Sequence, residues 1–298
     1  MIDLQYFSPE EEIFDPLFTQ KEVKVFVKRD DMIHPFISGN KWRKLKYSLH
    51  EARNTNKNHL VTFGGAWSNH LLATAAAAAK FGFKATGFVR GEKVENQMLL
   101  LCALFGMKLI FTDRTSYLEK QKLFNNYFAD DSDAFFIDEG GAGIHAVNGC
   151  TELIYELRET YNHLFCACGT GTTAAGILKG ISQNELQTKL HAVPVLKNGE
   201  FIRTEIAKYN ENLTGFELHL NYHFGGYAKT RPELLQFIRT FSSSTGILLD
   251  PVYTGKLFFA LYELISQDHF SRGDKILAVH TGGLLGLLGM SEKFSKVI

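Results

Sequence analysis

Neither sign of charge predominates in this chain: 32 Lys and Arg balance 32 Asp and Glu over 298 residues. With no basic surplus, nucleic acid and anionic membrane surfaces are not expected partners. Long apolar runs are also missing. The longest small-residue and apolar stretch, residues 71–79, is far too short to span a bilayer. The opening Met1-Ile2-Asp3-Leu4 lacks the charged-then-apolar pattern of a secretory signal, so a cytoplasmic location is expected. Cysteine is scarce. Cys102, Cys150, Cys166 and Cys168 form no Cys-x-x-Cys pair, and Cys166 and Cys168 alternate on one face of a predicted strand as core residues do. No disulfide framework, zinc site or other metal is indicated, and no His-Glu-x-x-His spacing occurs.

What is present is an alternation of short apolar runs with helical stretches. Trp42, Leu45, Leu49 and Ala52 recur at helical spacing, and an Ala-rich helix over 69–81 ends at Gly82. Further helices are predicted over 95–105, 115–127, 147–159, 173–181, 200–209, 233–241, 257–265 and 284–290. Strands are predicted over 60–63, 86–89, 108–111, 134–137, 164–167, 190–195 and 276–279. A longer strand over 216–224 would carry His219 and His223 on one face. Strands separated by helices imply parallel pairing through crossovers, an α/β fold with helices on both sheet faces. There is no repeat, low-complexity tract or long linker. Ligands of such sheets bind at the carboxyl ends of strands, so the strand-to-helix turns carry the interest.

Lys41 lies in Ser38-Gly39-Asn40-Lys41-Trp42-Arg43-Lys44-Leu45, where a turn runs into a helix. The positive end of the helix dipole, with Arg43 and Lys44 nearby, disfavours its ammonium and lowers its pKa. A neutral amine can form a Schiff base with a carbonyl. A solvated basic helix start accounts for the same residues.

The turn Cys168-Gly169-Thr170-Gly171-Thr172-Thr173 follows a strand and opens a helix, the composition and context of a phosphate cradle. Its glycines also fit a dinucleotide fingerprint. The next strand ends Val195-Leu196-Lys197 without the acid that fingerprint requires, so a monophosphate fits better. Gly64-Gly65-Ala66-Trp67-Ser68-Asn69-His70 has two readings: Ser68 is an N-cap, or it and the following amides hold a carboxylate. Asp250-Pro251-Val252-Tyr253-Thr254-Gly255 reads as a turn capped by Thr254. His280-Thr281-Gly282-Gly283 places a hydroxyl at a strand end, within reach of a ligand ring nitrogen.

In this order and over most of the chain, these five segments resemble the pyridoxal-phosphate enzymes of fold type II, in the branch of 1-aminocyclopropane-1-carboxylate deaminase and D-cysteine desulfhydrase. The resemblance implies a tryptophan-synthase-β-like fold of two domains, each with a largely parallel sheet flanked by helices. The large cofactor-binding domain would comprise 1–45 and 151–298, and the small domain 46–150. Lys41 would hold pyridoxal 5'-phosphate through a Schiff base. Lys44 and the segment Gly169, Thr170, Gly171, Thr172 and Thr173 would hold its phosphate, and Asn69 its ring hydroxyl. Ser68, Asn69 and His70 would bind the substrate carboxylate beside Trp67. Tyr227 and Tyr253 would line the substrate pocket as catalytic residues with Ser68. A homodimer acting on a small amino acid is implied.

Four departures bear on the reaction. Ring-opening deaminases of the branch carry Glu facing the pyridine nitrogen where Thr254 stands, and Leu where Thr281 stands. The Thr281 hydroxyl would meet that nitrogen here and leave it largely unprotonated, which suits β-elimination. His70 follows the desulfhydrase pattern, and Trp67 replaces an expected Gln. The expected reaction is elimination from D-cysteine or a related β-substituted amino acid, giving a keto acid, ammonia and sulfide. The alternatives are deamination of 1-aminocyclopropane-1-carboxylate to 2-oxobutanoate, or a non-catalytic phosphate- or nucleotide-binding module.

Overall fold

The computed structural model describes residues 2–295; Met1 and 296–298, at the ends of the expected cofactor-binding segments, lie outside the described residues. The chain begins with β1 (Glu10–Ile13), α1 (Pro16–Lys21) and β2 (Lys24–Lys28), none of which the apolar pattern predicts. Asp15 caps α1 by accepting from the Leu17 amide at 2.8 Å, and Pro16 takes its first position.

The remaining elements alternate as expected: α2 (Asn40–Asn54), β3 (His59–Gly65), α3 (Asn69–Phe81), β4 (Lys84–Arg90), α4 (Gln97–Leu104), β5 (Lys108–Thr112), α5 (Lys120–Tyr127) and β6 (Ala134–Ile137). Then come α6 (Ile144–Tyr155), β7 (His163–Cys168), α7 (Thr172–Gln183), β8 (Lys189–Pro194), α8 (Phe201–Ala207) and β9 (Phe216–Leu218). The chain closes with α9 (Pro232–Thr245), α10 (Thr254–Ser266), β10 (Lys275–Val279) and the short α11 (Ser291–Phe294).

Two sheets result. One runs β1-β2-β10-β7-β8-β9, drawing on both ends of the chain; the other runs β5-β4-β3-β6, from its middle. Every pairing is parallel except β1 with β2. Strand order reverses between β7 and β10 in the first sheet and between β3 and β6 in the second. The loops that follow those strands therefore face the crevices where such folds bind ligands.

Three predicted elements differ. The helix expected over 115–127 is broken at Glu119: a 3-10 turn, Ser116–Leu118, precedes α5. The Asp113 carboxylate accepts from the Thr115 and Ser116 amides and tightens that first turn. The helix expected over 147–159 runs instead as α6, starting after Gly143 and ending at Tyr155. Glu156, just beyond it, is engaged by Arg43. The strand expected over 216–224 stops at Leu218, and Leu220–Tyr222 form a 3-10 turn. His219 and His223 therefore share no strand face: His219 packs on His191, while His223 accepts from the Gly225 amide.

Helices α2, α6 and α7 approach closely because glycines leave room. A Cβ on Gly149 would lie 1.8 Å from the Arg43 carbonyl, and one on Gly176 would lie 2.5 Å from Cys150 Cβ. This packing brings the N-terminus of α2, with Lys41, beside the N-terminus of α7. The four cysteines are buried and free. Among the described residues no helix is long and apolar enough to cross a membrane.

Candidate active site

A cavity opens at the carboxyl ends of β7 and β10. Lys41, Lys44, Asn69, Tyr253, Thr281 and the loop 169–173 line it. Gly39 brings its walls together: at φ 60 it lies so close to the next turn that a Cβ would sit 1.9 Å from the Thr281 carbonyl oxygen. The Asn40 amide donates to that same carbonyl at 3.3 Å.

Lys41 is the second residue of α2. Its Nζ donates to Asn40 Oδ1 at 3.1 Å, and Asn40 Nδ2 donates to Thr173 Oγ1 at 3.0 Å. Burial, reinforced by the Lys44 charge, pulls the Lys41 pKa down to about 7. Arg43, expected to crowd this amine, does not. It is fully buried and turned away, with paired 2.7 Å bonds to Asp30 and to Glu156. Lys44, one helical turn on from Lys41, is buried with its Nζ on the Gly140 carbonyl at 3.2 Å, and burial lowers its pKa as well.

The loop after β7 turns through Gly171 at φ 81 into α7, with the Thr170 and Thr172 hydroxyls 3.0 Å apart. The first amides of α7 have no intrahelical acceptor. A buried ammonium paired with a backbone carbonyl, beside free helix amides, suits an anion of two negative charges. With Lys41 alongside, the cavity fits a phosphorylated aldehyde.

Tyr253 lies over the loop: a Cβ on Gly169 would meet its ring at 3.3 Å. Tyr227, on a half-exposed turn, sits edge-on to Tyr253 with ring centroids 6.1 Å apart and lies outside the cavity lining. Burial, then Tyr227, holds the Tyr253 phenol well above its ordinary pKa. Thr254 is fully buried. Its hydroxyl donates to Asp250 Oδ1 at 2.8 Å and accepts from the Asp250 amide at 2.8 Å, and it does not line the cavity. The capping expected of Thr254 belongs to Asp250, whose carboxylate accepts from the amides of Val252, Tyr253 and Thr254.

The second loop divides. Asn69 reaches the cavity beside Gly283, where a Cβ would come within 2.6 Å of its Nδ2. Ser68 caps α3, accepting from the Leu71 amide at 3.3 Å, and Trp67 packs on Gly289. His70 is buried with Nε2 2.7 Å from Thr62 Oγ1. The Thr62 hydroxyl already donates to the Ile137 carbonyl, so His70 donates from Nε2, and its buried Nδ1 has no partner among the described residues. Burial and the two lysines keep this imidazole neutral, well below its ordinary pKa. The side chains of Trp67, Ser68 and His70 lie outside the cavity lining.

Sequence reasoning gave no role to Asn40, Ser38 or Gly140, all of which line the cavity. Asn40 stood inside the lysine motif. Gly140-Gly141 follows β6 with the same glycine punctuation as the other strand ends.

A family model described as pyridoxal-phosphate dependent enzyme matches residues 14–282. A putative 1-aminocyclopropane-1-carboxylate deaminase from Thermotoga maritima is 33% identical over 290 residues, covering 90% of this chain and 91% of its own. A bifunctional D-cysteine desulfhydrase/1-aminocyclopropane-1-carboxylate deaminase from Arabidopsis thaliana is 29% identical over 305 residues, covering 92% of this chain and 76% of its own. Among solved structures, an ACC deaminase homologue superposes with a TM-score of 0.86 at 27% identity, covering 99% of this chain and 95% of that one.

Proposed function

The chain belongs to the pyridoxal-phosphate-dependent enzyme family, and on that premise we propose that it catalyses β-elimination from a small β-substituted amino acid, best fitted by D-cysteine. It is a pyridoxal-phosphate-dependent lyase or deaminase, which sets aside a non-catalytic binding module. When bound, the cofactor supplies an electron sink for the substrate Cα. Lys41 anchors the cofactor through its neutral amine. Lys44 and the 169–173 amides hold its phosphate, and Asn69 hydrogen-bonds its ring hydroxyl. The Ser68, Asn69 and His70 amides bind the substrate carboxylate. Tyr253, backed by Tyr227, lines the reacting side. Lys41 moves the Cα proton.

One observation carries the choice of reaction: among the described residues lining the cavity there is no Asp or Glu, and Thr281 is one of them. A neutral partner leaves the ring nitrogen largely unprotonated. That is enough for a β-substituent that departs readily, and it disfavours transamination. Deamination of 1-aminocyclopropane-1-carboxylate is the second reading, supported by the Tyr227–Tyr253 pair and by the relatives' names. The test is a paired assay of the cofactor-loaded protein. Sulfide release from D-cysteine should exceed 2-oxobutanoate formation from the cyclopropane amino acid, and the reverse order reverses the assignment. The same reading takes 1–45 with 151–298 as the cofactor-binding unit, 46–150 as the smaller one, and a cytoplasmic homodimer as the working form. Light scattering at assay concentration tests the dimer.

A further inference from the structure

At the amino ends of the strands in the six-stranded sheet, opposite the cavity, histidines and carboxylates form one connected array. His191 on β8 and Glu217 on β9 are register partners, so their side chains leave the same face. His269, in the turn after α10, closes over them. The Glu217 carboxylate lies 3.9 Å from His191 Nδ1 and 3.7 Å from His269 Nε2. One donor atom from each residue lies within 4.8 Å of the other two. A tetrahedral cation with metal–ligand bonds of about 2.0–2.2 Å holds its donors roughly 3.3–3.6 Å apart, so only a small closure is needed.

The groups behind His191 fix where its protons sit. His163 Nε2 is 3.0 Å from Asp274 Oδ2, and His163 Nδ1 is 2.9 Å from His191 Nε2. An ionised carboxylate only accepts, so His163 donates from Nε2 and accepts at Nδ1, and His191 donates from Nε2. The Nδ1 lone pair of His191 therefore faces the Glu217 side, where it accepts from His219 Nε2 at 2.8 Å. Metal-binding histidines have this arrangement, with the second ring N–H held by an acceptor that a carboxylate backs. Phe165 stacks on the His191 ring with centroids 4.4 Å apart and planes 1° from parallel, holding its orientation.

We propose that His191, Glu217 and His269 form a binding site for a divalent cation of the zinc(II) class. His219 is placed to complete it. Its Nε2 lies 2.8 Å from His191 Nδ1 and 3.7 Å from Glu217 Oε1, and moving its proton to Nδ1 makes Nε2 a fourth donor. Lys189, which now pairs with Glu217, is partly exposed and swings into solvent as the cation enters. Imidazole nitrogens with one carboxylate select zinc-like cations over calcium or magnesium. Glu217 and His269 are each 30% exposed, which provides the entry path. The bound ion would tie β8 and β9 to the α10–β10 turn, a structural role away from the cofactor.

The test uses chelator-treated, cofactor-loaded protein titrated with zinc chloride by calorimetry, and with cobalt(II) by visible absorption. A single equivalent per chain should bind, with an intense tetrahedral cobalt spectrum. Glu217→Gln and His269→Ala, both at partly exposed positions, should each weaken binding by at least about tenfold. Asp274→Asn, which touches no metal, should weaken it by about 10–100-fold through the relay. No binding at about millimolar zinc, or equal affinity in wild type and His269→Ala, overturns the site. Unchanged affinity in Asp274→Asn overturns the relay.

Discussion

Asn40 joins Lys41 to the 169–173 loop: its Oδ1 accepts from Lys41 Nζ at 3.1 Å while its Nδ2 donates to Thr173 Oγ1 at 3.0 Å. The amine proposed to condense with the cofactor and the helix end proposed to hold its phosphate are therefore linked through one side chain. Asn40→Ala should lose both bonds, each worth about 1 kcal/mol. The expected result is cofactor affinity lower by about tenfold, with borohydride still fixing cofactor on Lys41. Lys41→Ala should abolish both fixation and turnover. A Lys41→Ala protein that still fixes cofactor and turns over normally would remove Lys41 from the chemistry.

The lowered Lys41 pKa has two consequences in solution. In the cofactor-free protein this group sits at about 7 against an ordinary 10.5. Between those values the unfolded chain binds more protons than the folded one, so this group makes stability rise with pH across that window. Below pH 7 the amine is charged in both states and the full cost of burying it is felt. Lys41→Met should therefore stabilise the cofactor-free protein most at pH 6, with the difference fading toward pH 10; denaturant titrations at several pH values measure it. Cofactor capture should accelerate with pH through about 7 and then level off. If capture by the wild type still climbs steeply from pH 8 to 10, the amine is not depressed.

Behind the site, Arg43 is held by Asp30 and Glu156, with Arg43 and Asp30 both fully buried. The network fixes the face of α2 opposite Lys41. Among the described residues, Arg43→Met leaves the buried Asp30 carboxylate with the Ser8 hydroxyl, at 2.7 Å, as its side-chain partner. A loss of about 3–5 kcal/mol is expected by chemical denaturation. The double variant Arg43→Met/Asp30→Leu should lose less than Arg43→Met alone, because no uncompensated charge remains.

The orientation of Arg43 was open to sequence reasoning. Two residues along a helix is about 200° of rotation, so Arg43 cannot share a face with Lys41, whereas Lys44 at three residues does. Helix α3 was legible to the residue because its signals are local: Ser68 caps it and Gly82, at φ 72, ends it. The 169–173 loop was legible for the same reason. Strand β1 was not, because Glu10, Glu11 and Glu12 give an edge strand the charge that guards it from further pairing and hides its period. Nor was the inward turn of Thr254, which depends on where the Asp250 carboxylate points and not on the residues themselves.

Thr254 and Thr281 offer a test that separates stability from chemistry. Both are buried threonines at the mouth of one sheet, yet only Thr281 lines the cavity. Removing the Thr254 hydroxyl deprives Asp250 of bonds to its carboxylate and its amide. Thr254→Ala should cost about 1–3 kcal/mol of stability and leave kcat per folded, cofactor-loaded molecule unchanged. Thr281→Ala should do the opposite, with stability little altered and kcat for elimination lower by about tenfold while cofactor remains bound. Thr281→Asp places a carboxylate where the ring nitrogen is expected, favouring its protonated form. That variant should gain transamination at the expense of elimination, read as pyruvate and ammonia set against conversion of cofactor to its amine form. If Thr254→Ala changes kcat and Thr281→Ala does not, the two threonines have been assigned the wrong way round.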